Sequence, residues 1–327
     1  MTAKTAILGA GAWGTALAIQ AARAGCDVAL WARDTARAEA IAAARVNQRY
    51  LPGIALPDAV KVTADAEEAL GGAALALMVV PAQALARVLA AMPVRGVPLL
   101  ACCKGVEAST LRLPLEIIEA IRPGLSAGVL SGPNFAHEVA RGLPAAAVVA
   151  AADPALREAG LALLSSPAFR LYGGEDPIGA EVGGAAKNVI AIAAGAVIGA
   201  GLGENARAAL VTRGLAELSR LAVALGGRAE TAAGLTGLGD LMLTCAGPGS
   251  RNMSLGLALG RGESLAAVLA GRAGVTEGVA TAPAIVARAA AAGVELPICE
   301  AVADLVAERI TVPEAMARLL ARPQRAE

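Results

Sequence analysis

Lysine is scarce in this chain. Four lysines (Lys4, Lys61, Lys104 and Lys187) stand against 24 arginines in 327 residues. Where a bare positive charge suffices, the sequence has mostly used arginine. Lysine differs from arginine in that it can release its proton when desolvated. Lys187 sits in an apolar, small-residued stretch, residues 181–195, that reads as a packed helix. Burial lowers a lysine pKa by up to roughly 3–5 units, so Lys187 is a candidate proton donor and acceptor. The plainer reading is a lysine that snorkels at a helix edge or pairs with an acid. Lys104 follows an apolar run in Cys103-Lys104-Gly105-Val106-Glu107, at what reads as the carboxyl end of a strand, where open α/β sheets bind ligands. Farther on, residues 234–244 place one carboxylate, Asp240, amid glycines and apolar residues. A helix N-cap is the plainer role for it. Ser250-Arg251-Asn252 offers a hydroxyl, a guanidinium fork and an amide in a row. These groups suit a phosphate monoester, although a capped helix start has the same pattern.

Such groups need elements to position them. Residues 5–8 read as a short apolar strand. Gly9-Ala10-Gly11-Ala12-Trp13-Gly14 follows, then an apolar helix over 15–24 that stops at Gly25, then a second strand over 28–31. A Gly-x-Gly-x-x-Gly turn between strand and helix points to a dinucleotide. Gly9 permits the tight turn, Gly11 lets the backbone approach a pyrophosphate, and Gly14 allows close helix–strand packing. The helix N-terminus then faces the anion. The alternative is a purely structural glycine turn. After the second strand the chain reads Trp31-Ala32-Arg33-Asp34. An NAD site usually carries an acid at that strand end, whereas Arg33 suits the 2′-phosphate of NADP. The other reading of Arg33 is a surface charge paired with Asp34.

Up to residue 176 strands alternate with helices. Further strands are expected over 60–62, 75–80, 98–102, 128–130, 145–151 and 169–172, with helices over 36–44, 82–92, 114–121 and 154–164. Asn47-Gln48-Arg49-Tyr50-Leu51-Pro52-Gly53 reads as a loop. Ser131-Gly132-Pro133-Asn134-Phe135-Ala136 reads as a strand end opening into a helix. After Gly173-Gly174-Glu175-Asp176-Pro177 only helical periodicity remains, over 178–200, 204–225, 252–260, 276–292, 297–309 and 313–321. The expected architecture is α/β: a Rossmann-like dinucleotide-binding domain over 1–176, followed by an all-helical substrate domain over 177–327.

Bulk properties narrow the function classes. Formal net charge is zero with no long run of like charge, which argues against a nucleic-acid surface or a polybasic membrane anchor. The two most apolar windows, 73–92 and 189–202, do not read as membrane spans: Pro81 and Arg87 break the first, and the second is short and Gly-rich. The first strand begins at Thr5 with no basic segment ahead of it, so no export signal is expected. Five cysteines without Cys-x-x-Cys spacing suit reduced thiols in the cytoplasm and argue against a zinc site. The single histidine, His137, cannot build a His-based metal site, so no metal is expected. It precedes Glu138 in what reads as a solvated helical turn.

Several of these motifs occur together and in order. Gly9-Ala10-Gly11-Ala12-Trp13-Gly14-Thr15-Ala16-Leu17-Ala18, Tyr50-Leu51-Pro52-Gly53, Cys103-Lys104-Gly105-Val106-Glu107, Ser131-Gly132-Pro133, Lys187-Asn188, residues 234–245 and Ser250-Arg251-Asn252 resemble the bacterial NAD(P)-dependent sn-glycerol-3-phosphate dehydrogenase family, over about residues 7–281. The resemblance implies reversible reduction of dihydroxyacetone phosphate to sn-glycerol 3-phosphate, with NADPH or NADH as cofactor, for glycerophospholipid synthesis. It implies Lys187 as proton acceptor in the oxidative direction, with Asp240 holding the amine and setting its pKa. Lys104, Gly132, Asn134, Ser250, Arg251 and Asn252 would complete the triose phosphate site. Gly9, Gly11, Ala12, Trp13, Gly14, Arg33, Tyr50, Lys104, Ala136, Arg251, Val275 and Glu277 fall at dinucleotide positions, the last two from a Val-x-Glu-Gly match at Val275-Thr276-Glu277-Gly278. Asn134 departs from the family's usual Ser or Thr, so a hydroxyl contact would become an amide contact; Ala12 is often Ser. The small residues Gly183-Gly184 and Ala185-Ala186 are expected to leave room for the triose and nicotinamide beside Lys187. A homodimer is the assembly the resemblance suggests. Two rival readings remain at this stage: a hydroxy-acid or 3-hydroxyacyl dehydrogenase, which would more commonly use a catalytic histidine, and a non-catalytic dinucleotide sensor.

Overall fold

The computed structural model describes residues 2–247, 249–271 and 275–323. The chain forms two compact units, residues 1–103 with 114–177, and residues 104–113 with 178–327. The sequence reading placed residues 104–113 in the first domain. They pack instead with the helical unit, because Val106 and Leu113 are buried in its apolar core.

The first unit is built on an eight-stranded sheet of β1 (Lys4–Leu8), β2 (Asp27–Trp31), β3 (Val60–Thr63), β4 (Ala73–Met78), β5 (Leu99–Ala101), β6 (Ala127–Ser131), β7 (Ala145–Ala150) and β8 (Phe169–Gly174). Their order is β3-β2-β1-β4-β5-β6-β7-β8, parallel throughout except for the antiparallel pair β6–β7. The central strands are near-continuous apolar runs because helices cover both faces of a parallel sheet. Those helices are α1 (Ala12–Arg23), α2 (Thr35–Ala44), α3 (Ala66–Leu70), α4 (Leu85–Ala91), α5 (Pro114–Ile121), α6 (Ala136–Arg141) and α7 (Pro154–Leu164). Each expected strand and helix of this unit forms. Helix α3, which the sequence did not suggest, is a single capped turn started by Asp65, whose carboxylate accepts the Glu67 and Glu68 N–H groups. Lys4 closes its far end by donating to the carbonyls of Glu68 and Gly71, at 2.7 Å each.

The second unit is helical. It comprises α8 (Pro177–Gly199), α9 (Gly203–Ala224), α10 (Ala229–Ala232), α11 (Asp240–Cys245), α12 (Arg251–Gly260), α13 (Leu265–Ala270), α14 (Glu277–Ala291), α15 (Pro297–Val306) and α16 (Val312–Leu320). Helix α8 is the axis of this unit, buried from Gly179 to Val197 without a break. By length and hydropathy it would pass for a membrane span, longer than the short window read at 189–202. However, 89% of its most apolar window is buried, as in the core helix of a globular protein.

Helix α12 lies against α8 backbone to backbone. A Cβ at Gly195 would sit 2.1 Å from the Met253 carbonyl oxygen, and one at Gly256 would sit 1.9 Å from that of Ile192. Gly199 and Gly260 make the same kind of contact one turn along, so glycine four residues apart on both helices sets their spacing. Helix α15 begins with no side-chain cap of its own. Glu217 of α9, only 2% exposed, accepts the N–H groups of Ile298 at 2.7 Å and Cys299 at 3.2 Å. Burial raises the Glu217 pKa against the pull of those N–H groups.

Because neither carbonyl oxygen nor helix axis can yield at the α8–α12 contact, Gly256→Ala is expected to destabilise the protein by at least ~1–3 kcal/mol. Urea denaturation followed by circular dichroism measures this, and an unchanged midpoint would refute the backbone-contact account.

Candidate active site

Lys187 lies in the middle of α8, and its residue is 9% exposed. Its ammonium reaches an acid rather than solvent, donating to Asp240 Oδ1 at 2.5 Å. Asp240 is fully buried. Its other oxygen, Oδ2, accepts from Lys104, which arrives on the 104–113 segment. One carboxylate therefore separates two ammonium groups, and all three belong to the second unit. Asp240 does not cap α11; its side chain is committed to the lysines. Thr244, one turn along α11, has its hydroxyl 3.0 Å from Lys187 Nζ and 2.6 Å from the Asp240 carbonyl oxygen.

Asp240 is delivered by a widened helical turn over Leu235–Gly239, where Gly239 N–H bonds to the Gly234 carbonyl five residues back at 3.1 Å. Such π-type turns re-aim the following residue. Glycine makes this one possible: a Cβ at Gly237 would lie 2.1 Å from the Ala232 carbonyl oxygen. The same turn presses on α8, since a Cβ at Gly183 would lie 2.4 Å from the Thr236 carbonyl oxygen. This corrects one expectation. The small size of Gly183 admits the Asp240-bearing turn rather than leaving room for a ligand.

The electrostatics follow from burial. Desolvation pulls the Lys187 pKa down from its ordinary value to about 8, against the raising effect of Asp240 and together with the lowering effect of Lys104. Burial alone would push the Asp240 carboxyl up, but the two lysines outweigh it and hold Asp240 below the usual carboxylate range. Cys245, also buried near Lys187, is pushed up to about 12 and stays a neutral thiol.

The Ser250-Arg251-Asn252 triplet opens α12. Ser250 caps the helix by accepting the Met253 N–H at 3.2 Å, so the plainer reading of its geometry holds. Asn252 points inward, donating to Asn188 Oδ1 at 2.8 Å and accepting the Gly278 N–H at 3.0 Å. It thereby joins α8, α12 and the start of α14. Arg251 is exposed. Glu277 stands at the first turn of α14, with Oε2 buried and lacking a hydrogen-bond partner. Burial raises its pKa to about 7, opposed by the nearby Arg251. Val275 is 47% exposed.

The other expected positions lie in the first unit. A Cβ at Gly9 (φ +129°) would lie 2.3 Å from the Val79 carbonyl oxygen, and one at Gly14 would lie 1.8 Å from that of Gly9. Gly14 thus serves packing inside the turn itself. A Cβ at Gly11 would meet nothing within 4 Å, and α1 starts there with no side-chain cap. Open backbone beside the amide end of a helix suits a pyrophosphate, so the turn fits the dinucleotide expected of it. Two residues missed by sequence reasoning secure it. Asn47 Nδ2 donates to the Ala10 carbonyl at 3.0 Å and to Thr15 Oγ1 at 2.7 Å, and Arg37 also donates to the Ala10 carbonyl. Only their place in the loop and in α2 was visible beforehand.

Ala12 and Trp13 lie in the first turn of α1. Arg33 is exposed beyond the end of β2, and Asp34 caps α2 by accepting the Arg37 N–H; among the described residues no ion pair joins Arg33 to Asp34. Tyr50 lies under two guanidinium groups, with Arg37 4.4 Å and Arg49 5.3 Å from its ring centroid. Gly132 (φ +147°) follows β6, and Ala136 begins α6. Asn134 donates to the Ala146 carbonyl at 3.1 Å, while its own Oδ1 is buried without a partner. His137 is half exposed and 3.8 Å from Glu138, remote in kind from a buried catalytic histidine. Among the described residues no cluster of His, Cys, Asp and Glu could hold a metal ion.

Models of the NAD-dependent glycerol-3-phosphate dehydrogenase N-terminus and C-terminus match residues 4–157 and 176–317. The chain belongs to the NAD-dependent glycerol-3-phosphate dehydrogenase family. It is 55% identical to the glycerol-3-phosphate dehydrogenase [NAD(P)+] of Acidiphilium cryptum (strain JF-5) over 322 residues, 98% of each chain. It is 53% identical to that of Caulobacter vibrioides over 327 residues, covering 99% of this chain and 98% of the relative. The crystal structure of glycerol-3-phosphate dehydrogenase from Coxiella burnetii superposes with a TM-score of 0.94 at 37% identity, covering 98% of this chain and 99% of that one. Family membership accounts for the Rossmann-like sheet unit followed by a helical unit.

Asp240 pairs with both Lys104 and Lys187 and stands between their like charges. Asp240→Asn is therefore expected to cost about 3–5 kcal/mol at pH 7, below the Lys187 pKa of about 8. At pH 9 to 10 Lys187 is neutral and part of that loss is regained. Urea melts of wild type and variant at both pH values measure the difference, and an equal loss at both would contradict the like-charge account.

Proposed function

We propose that this protein catalyses the reversible reduction of dihydroxyacetone phosphate to sn-glycerol 3-phosphate with NADPH or NADH, the step that furnishes the glycerophospholipid backbone. The observation that carries the reading is the buried Lys104–Asp240–Lys187 constellation. An acid/base whose pKa lies near the working pH is what carbonyl reduction requires, and burial places Lys187 there.

Residues of this chain divide the work as follows. The open Gly11 turn and the amide end of α1 would receive the pyrophosphate, with Ala12, Trp13, Tyr50 and Ala136 as further dinucleotide positions on the same unit; Val275 and Glu277 are candidate dinucleotide contacts on the second. When bound, the nicotinamide supplies or accepts the hydride at the central carbon of the triose. As the carbonyl oxygen gains charge, the Lys187 ammonium passes it a proton; in the oxidative direction the neutral amine takes that proton back. Asp240 holds the amine in place and keeps its pKa from falling further. Lys104 holds Asp240 from the other side and adds a positive charge for the substrate. Arg251, with Ser250 and Asn252 fixing the start of α12, holds the phosphate, and this remote binding aligns the reacting carbon. Gly132 and Asn134, on the first unit, are further candidate contacts for the triose phosphate, Asn134 offering its unpartnered Oδ1.

Residues 1–176 carry most of the dinucleotide positions, and residues 177–327, joined by Lys104, carry most of the triose phosphate positions. Arg33 makes NADPH the preferred cofactor through its 2′-phosphate. Zero net charge and five cysteines without Cys-x-x-Cys spacing support a cytoplasmic enzyme of small molecules that uses neither nucleic acid nor a membrane, and family membership suggests a homodimer.

Lys187→Ala is expected to lower turnover by roughly 10²–10⁴ while NADPH binding, read by fluorescence, persists; near-normal turnover would remove Lys187 from the acid/base role. In the reductive direction kcat/KM is expected to fall as pH rises through about 8, because the free enzyme must hold the Lys187 proton. Arg33→Ala is expected to weaken NADPH at least ~10-fold and leave NADH nearly unchanged. Equal losses for the two cofactors would return Arg33 to a surface charge.

A further inference from the structure

We propose that Glu107 is a positioning residue that folds residues 104–113 into a closed clip and so holds Lys104 against Asp240. The inference rests on the acid/base reading of Lys187 and adds what keeps its neighbouring positive charge in place.

The 104–113 segment contains neither helix nor strand, yet it packs with the helical unit. An irregular segment must find partners for its backbone groups without a helical turn or a ladder. Glu107 supplies several. Its N–H donates to the Arg112 carbonyl at 3.0 Å, and its own carbonyl accepts the Leu111 N–H at 2.9 Å. Its carboxylate accepts the Thr110 hydroxyl. Main chain and side chain of one residue thus close the turn over 107–112. Glu107 is only 8% exposed, whereas Ala108, Ser109, Thr110 and Arg112 around it are exposed. A buried carboxylate turned on its own loop belongs to neither the triose phosphate nor the dinucleotide positions.

The backbone shows that this turn is held under strain. Leu111 adopts φ +59°, in the left-handed region that bulky side chains avoid. Such a conformation persists only where its surroundings over-determine it. The bond from the Leu111 N–H to Glu107 does this, and Leu111 packs against the helical core. The closed turn carries Val106 and Leu113, both buried, into that same core. Only Gly105 separates Val106 from Lys104, so the reach of the Lys104 ammonium is measured from the Val106 anchor.

The charge held in this way acts on Lys187. The charged and titratable groups facing Lys187 are Asp240 and Cys245 from α11 and Lys104 from the 104–113 segment. Asp240 favours the Lys187 proton, and the like charge of Lys104 opposes it. A Lys104 that drifts from Asp240 removes that repulsion, so Lys187 keeps its proton to higher pH. The same drift withdraws a positive charge from the triose phosphate.

The test compares Glu107→Ala, Glu107→Gln, Thr110→Val, Lys104→Ala, Lys187→Ala and the double variant Glu107→Ala with Lys104→Ala. Reduction of dihydroxyacetone phosphate by NADPH is followed across pH 6–10, and circular dichroism with urea midpoints checks folding. Glu107→Ala is expected to lower kcat/KM by roughly 10–100-fold, mainly through the KM for triose phosphate. The alkaline limb of its profile should move to higher pH, as in Lys104→Ala. Glu107→Gln keeps an acceptor for Thr110 and should restore both rate and limb. In the double variant, loss of Glu107 should add less than about two-fold to the loss of Lys104, because the two act as one unit. An unmoved limb in folded Glu107→Ala would overturn the proposal. So would a full second loss in the double variant, a Gln variant no better than Ala, or an unmoved limb in Lys104→Ala. If Glu107→Ala does not fold, Thr110→Val decides: a limb moved to higher pH supports the clip, and a wild-type limb overturns it. An active Lys187→Ala would instead defeat the acid/base reading itself, so the two failures are told apart.

Discussion

A single buried carboxylate governs the second unit. Asp240 is shielded from water, and two lysines converge on its two oxygens. Taking any one of these charges out of water alone would be prohibitive; together they compensate one another. The compensation is incomplete by one positive charge, and the excess falls on Lys187. Its pKa is drawn towards neutrality by burial and by Lys104, and held from falling further by Asp240. A group so balanced gives and takes a proton at modest cost, which is the property that carbonyl reduction and alcohol oxidation share.

The rest of the helical unit is arranged so that this carboxylate can reach α8. The widened turn over Leu235–Gly239 must press directly on the α8 backbone, which requires Gly183 on one side and Gly237 on the other. Helix α12 approaches α8 through paired glycines, and the Asn188–Asn252–Gly278 chain of hydrogen bonds locks the starts of α12 and α14 to the same helix. Rigid elements in backbone contact hold their side chains to a fraction of an ångström better than loops do. Precision at Lys187 is thus a consequence of glycine placement up to three turns away.

The sheet unit solves a different problem, presenting backbone to an anion. Gly9 and Gly14 fold the turn against Val79 and against itself, while Gly11 is left open. The carbonyl of Ala10 would otherwise be free to rotate into that opening. Asn47 and Arg37 hold it from behind, and Arg37 is in turn seated on Tyr50. A dinucleotide-binding turn therefore extends well past its glycine signature, into a loop and a helix that carry no motif of their own.

Much of this was written in the residues themselves. Alternating strands and helices up to Pro177, helices after it, and the glycine turn after β1 follow from periodicity and turn chemistry, which are local and leave local traces. The scarcity of lysine marked Lys187 and Lys104 because the choice between lysine and arginine is itself chemical. Pairings across long spans left no such trace. Taken alone, Asp240 looked like a helix cap, and only the family resemblance set it beside Lys187; Gly183 looked like room for a ligand, and Thr244, Asn47 and Arg37 were given no role. Each acts through a partner tens of residues away. Residue types determined which chemistry was available, whereas only packing in three dimensions decided which oxygen faced which nitrogen, because burial and hydrogen-bond direction exist only once the chain has folded.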